Sequence, residues 1–126
     1  MRATHDPIIR WFGFFVGVFT LQGISLVIQG WMPFGDHGLA AMAIIDVFSV
    51  HTPTTGMPST AFFDLPHSDL RHIGPLHFQL LAPIYALGGY QPWALIASSV
   101  VFSSVIILAA LHVAHRAGGL LGVRIA

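Results

Sequence analysis

Two long stretches without a charged side chain constrain what this chain can fold into. The first, WFGFFVGVFTLQGISLVIQGWMPF, runs from Trp11 to Phe34, 24 residues. As a helix rising about 1.5 Å per residue it reaches roughly 36 Å, enough to cross a hydrocarbon core of about 30 Å with some tilt. Trp11 and Trp31 stand near its two ends, where amphipathic rings favour a membrane–water boundary. The run is too long for the apolar region of a cleaved leader, and no clean small-x-small cleavage site follows it, so it reads as retained. The second stretch, PWALIASSVVFSSVIILAALHV, begins at Pro92. Proline suits a first helical turn because its missing N–H would be unpaired there. The expectation is a second crossing helix over 92–115.

Composition agrees. The chain of 126 residues is 55% hydrophobic and 8% charged, against about a quarter charged in soluble domains. It has no cysteine, which excludes disulfides and cysteine-based metal or redox sites. Its formal net charge is zero with histidine neutral, so nothing points to nucleic acid. All five basic residues are arginine and all five acidic ones aspartate.

The arginines set an orientation. Arg2 and Arg10 precede the first stretch, Arg116 and Arg124 follow the second, and only Arg71 lies between. Positive charge favours the cytoplasmic side. The expected topology in the plasma (inner) membrane has residues 1–10 and 116–126 in the cytoplasm, crossing helices over 11–34 and 92–115, and residues 35–91 outside. That outer segment holds Asp36, Asp46, Asp64 and Asp69 against Arg71, a net charge of −3.

The crossing helices carry small-residue faces. Gly13 and Gly17 form a GxxxG, and Ser99 and Ser103 a small-xxx-small pair. Such faces let helix backbones approach closely in lipid, and here they point to other transmembrane helices or subunits as partners.

Within the outer segment, DHGLAAMAIIDVFSV repeats apolar residues at Leu39, Met42, Ile45 and Phe48, which predicts an amphipathic helix over about 36–50. Asp36 falls near its N-cap, where a carboxylate satisfies free backbone N–H groups. HTPTTGMPST is loop chemistry. A second short helix is expected over about 74–88, started at Pro75, broken or kinked at Pro83 and stopped at Gly88 and Gly89. Leu76, Leu80, Pro83, Ile84 and Leu87 lie near one of its faces. At 15 residues it is short for a crossing and reads as a helix lying in the outer interface, with a re-entrant helix as the alternative. The fold class is therefore an all-α membrane protein: two transmembrane helices joined by a long outer loop with amphipathic interfacial helices.

One transmembrane helix, then GD, an amphipathic segment, HTPTTG, and HIGPLHFQLLAPIYALGG leading into a second span resembles the N-terminal region of polytopic C-superfamily glycosyltransferases of bacteria. The likeness covers roughly residues 10–116. It departs where Ile73 stands in place of a proline. It implies a polyprenyl-phosphate sugar donor used on the outer face, with an aspartate of the first outer loop as general base. Asp36 is the matching position. The resemblance further implies Arg71 and His72 beside the donor phosphate, and Asp46 and His51 as second carboxylate and hydrogen-bonding group. His77 belongs with the substrate-binding histidines. Members of that superfamily carry many more spans, so this chain is expected to be a fragment or truncated form, inactive alone.

Blander roles stand beside these. Asp36 serves equally as a helix cap, and Asp46 as the polar face of an interfacial helix. His51, His67, His72 and His77 leave a divalent metal open, but no HxH or HxxxH spacing marks a site, and no cofactor follows from the sequence. His112 and His115 share a helix face at the inner boundary, the single feature that suggests a haem or metal anchor. The alternative function is a small non-enzymatic two-span subunit packed in a larger complex.

Overall fold

The computed structural model describes residues 7–57, 71 and 74–125, and side chains over 8–57, 71 and 74–118. Among these residues the architecture is all-helical. It comprises α1 (Pro7–Ile28), α2 (Asp36–Asp46), α3 (Leu76–Leu87) and α4 (Pro92–Ile125). Two helices, over Ile8–Ile28 and Pro92–Gly118, are long and apolar enough to cross a membrane. Both are mostly exposed along their most apolar stretches, with 6% of the first and 28% of the second buried there.

The chain divides into two compact units, one of Met1–Gly30 with Ser99–Ala126 and one of Trp31–Ser98. In the first, Trp11, Phe14 and Phe15 form an aromatic cluster on α1, with edge-to-face pairs at 6.1 and 5.5 Å. A Cβ built on Gly13 or Gly17 meets no atom within 4 Å. The GxxxG face is therefore open. The hydroxyl of Ser104 donates to the Val100 carbonyl at 2.7 Å, so the helix satisfies this group from its own backbone.

The first helix stops at Ile28, short of the expected Phe34. Gly30 takes a left-handed φ of 68° and its N–H bonds the Val27 carbonyl at 3.0 Å. Pro33 then denies any restart before Gly35. At the other end, α4 continues to Ile125 instead of ending near 115. No proline interrupts AHRAGGLLGVRI, and its three glycines cost only about 1 kcal/mol each in a helix.

The second unit is built on the pairing of α2 and α3. Ala41 and Ile44 from α2, Phe78, Ala82 and Tyr85 from α3, and Ala94 and Leu95 from the first turn of α4 form its core. The apolar stripes read from the sequence lie largely at the surface. Leu39, Met42, Ile45 and Phe48 are exposed, as are Leu76, Leu80, Pro83 and Leu87. The helices meet instead through faces that carry alanines, where small side chains allow close approach. Soluble proteins turn their bulkiest aliphatic stripe inward; this pair turns it outward. Both helices are consequently apolar on two sides rather than amphipathic.

Helix α2 ends at Asp46, four residues before the expected position; the Ser49 amide and hydroxyl take its last carbonyl, and the Thr52 hydroxyl bonds the Val47 and Ser49 carbonyls just beyond it. Helix α3 runs unbroken through Pro83. Pro75 is its N-cap, and the Pro75 carbonyl accepts from the Phe78 and Gln79 amides at 2.9 and 3.2 Å.

Candidate functional site

A hollow of about 460 Å³ opens in the second unit, walled by Leu39, Ala43 and Asp46 of α2 and lined further by 51–57, Arg71 and Phe78. Residues 39, 43 and 46 fall within about 60° on the helix, so α2 contributes one continuous face. The loop His51 to Met57 folds back to line the same space, and Met57 packs against the core. Phe78, fully buried, lies at the contact with α3.

The sequence-predicted residues distribute unevenly. Asp46, His51 and Arg71 come together in the lining. Asp46 is half-buried, while His51 and Arg71 are exposed. Among the described residues no ion pair joins the carboxylate to the guanidinium, so both keep their hydrogen-bonding capacity for a ligand. His72 lies outside the described residues, as do Asp64, His67 and Asp69. His77 does not line the hollow; its half-buried ring stacks against Phe78 at 3.8 Å.

Asp36 does not line the hollow either, but it shares the lining face of α2, one turn beyond Leu39. It is not the N-cap. Gly35 holds that position with φ 55°, and Asp36 is the first helical residue. Glycine offers no side-chain cap bond there, and the Asp36 carboxylate stands exposed in the first turn. About 15 Å of helix separates it from Asp46 at 1.5 Å per residue.

Three hydroxyls that sequence reasoning treated only as loop chemistry, those of Thr52, Thr54 and Thr55, also line the hollow. Their signal was the run TPTTG itself, a cluster of donors and acceptors beside a histidine. The ensemble supplies one anion, one planar cation suited to a phosphate or carboxylate, an imidazole able to carry a proton, and several hydroxyls. That set suits a ligand with both an anionic group and sugar-like hydroxyls.

Elsewhere on α4, His112 is exposed and His115 half-buried, with its Nδ1 buried and lacking a hydrogen-bond partner. No group of three or more metal-capable side chains occurs among the described residues. No family model, curated protein or solved structure matches the chain.

Proposed function

We propose that this chain is an N-terminal-type module of an integral membrane glycosyltransferase that uses a lipid-linked sugar on the outer face of the plasma membrane. The observation that carries this reading is the convergence of Asp46, His51, Arg71 and three threonines on one hollow along α2. The membrane setting is supported by the outward apolar stripes, since lipid solvates leucine and phenylalanine where water does not. The arginine distribution supports cytoplasmic termini and an outer second unit.

In this reading a polar substrate lies along α2. Arg71 and His51 hold its anionic end, and Asp46 with the hydroxyls of Thr54 and Thr55 accept from or donate to its hydroxyls. Asp36, the position matched by the resemblance, deprotonates the acceptor hydroxyl from the far end of the same helix face. A solvent-exposed carboxylate in the first helical turn is accessible for that step.

The test uses the membrane-assembled protein with a polyprenyl-phosphate sugar labelled in the sugar. Transfer that disappears in Asp36→Asn and weakens in Arg71→Gln supports the assignment. Transfer untouched by both variants removes it.

A second reading, a non-enzymatic subunit, is favoured by the open face at Gly13 and Gly17. A stoichiometric unrelated multi-subunit complex on mild-detergent purification, with no transfer, would establish it.

A further inference from the structure

The chain after Asp46 is tied down. The Asp46 carbonyl accepts from the Ser49 backbone N–H and from Ser49 Oγ, both at 2.9 Å. Ser49 Oγ accepts in turn from the His51 N–H at 2.9 Å. Thr52 Oγ1 reaches back over the turn to the carbonyls of Val47 at 3.0 Å and Ser49 at 2.7 Å. A single hydroxyl proton is shared between them, with the shorter arm on Ser49. Thr52 thus closes the longest loop of this knot and bonds backbone on both sides of Phe48.

The consequence lies in the hollow. Residues 51–57 line it opposite the α2 face that carries Asp46. Pro53 narrows the backbone of Thr52 toward extended conformations, so little freedom is lost when the hydroxyl finds its two acceptors. Beyond Thr52 the segment is anchored again by Met57 against the core. The tie and the anchor bracket Pro53 to Gly56.

We infer that Thr52 is a positioning residue. Its hydroxyl fixes the His51–Met57 segment over the end of α2, and so sets His51 against Asp46 in the lining of the hollow. The effect on turnover rests on the glycosyl-transfer reading; the geometric claim does not.

The chain has no cysteine, so a single one is a clean labelling site. A nitroxide on Thr54→Cys reports the motion of the segment in the full chain in membranes. Thr52→Val is nearly isosteric and removes the hydroxyl; Thr52→Ser keeps it. The expected result is a shift to a faster-motion spectrum in Thr52→Val and none in Thr52→Ser. In chains that are otherwise wild type, transfer falls about tenfold or more for Thr52→Val, through turnover rather than KM, and recovers in Thr52→Ser. An unchanged nitroxide spectrum in Thr52→Val overturns the tie. A loosened spectrum with full transfer overturns the positioning role. If Asp36→Asn and Arg71→Gln also leave transfer intact, the glycosyl-transfer reading is what fails, and the spectrum alone still decides the tie.

Discussion

The Tyr90 N–H donates to the Tyr85 carbonyl at 3.0 Å, and the two rings meet edge to face with centroids 5.4 Å apart. Gly89, at φ 65°, donates to the Ala86 carbonyl at 2.9 Å. This is a Schellman ending, with its hydrophobic contact supplied by two aromatics. It turns α3 into α4 within four residues. Tyr90 itself adopts φ 58°, which is uncommon for a residue with a Cβ, and the ring contact offsets that strain.

Gly88 has no room for a side chain. A Cβ there would collide with the Ala94 Cβ and press on the Trp93 ring at 3.2 Å. Gly88→Ala is expected to destabilise the second unit by about 1–3 kcal/mol, as overpacking does. Gly89→Ala should cost about 1–2 kcal/mol through its left-handed backbone. Thermal unfolding in mild detergent checks both; full stability of either variant contradicts the corner geometry.

Burial pushes the Tyr85 phenol above its ordinary value of 10.0. The unfolded phenol ionises first as pH rises, and the folded one resists. The stability linked to Tyr85 is therefore complete below about pH 10 and is lost as pH climbs through the folded value. Tyr85→Phe should remove this alkaline loss. Tyrosinate absorbance followed together with helix content would reveal it.

Phe78 belongs both to the core and to the wall of the hollow. Phe78→Ala should cost about 3–5 kcal/mol, the usual range for a buried phenylalanine. Hydrogen exchange should show amides of α2 and α3 losing protection together, because the two helices pair through this residue's neighbours.

Base and binding roles separate kinetically. Asp36→Asn is expected to lower turnover at least a hundredfold with little change in KM, the usual scale of general-base loss. Arg71→Gln is expected to raise KM for the lipid-linked donor about tenfold with a smaller effect on turnover. Steady-state transfer kinetics on both variants would show the split. The reverse pattern would exchange the two roles.

How legible was this fold? Helix existence followed from the chemistry of short stretches: uncharged runs for α1 and α4, and Pro75 with Gly88 and Gly89 for α3. Helix ends depended on side chains that bond backbone, and Ser49, whose hydroxyl takes the Asp46 carbonyl, stands at the close of α2 in a way periodicity does not register. Periodicity locates an apolar stripe but not what covers it: Leu39, Met42, Leu76 and Leu80 are exposed, and Leu39 also walls the hollow. For the site, the sequence named Asp46, His51 and Arg71 without knowing that the loop returns to α2. Folding alone joins residues 46, 51 and 71, and no spacing rule announces it.

Helix α4 has 34 residues, which corresponds to about 51 Å. A bilayer core of about 30 Å covers roughly 20 of them. In the membrane reading, the remaining two fifths or so stands clear of the lipid as a helical stem carrying Arg116 and Arg124. Whatever meets the protein on that side meets helix and not a loose tail.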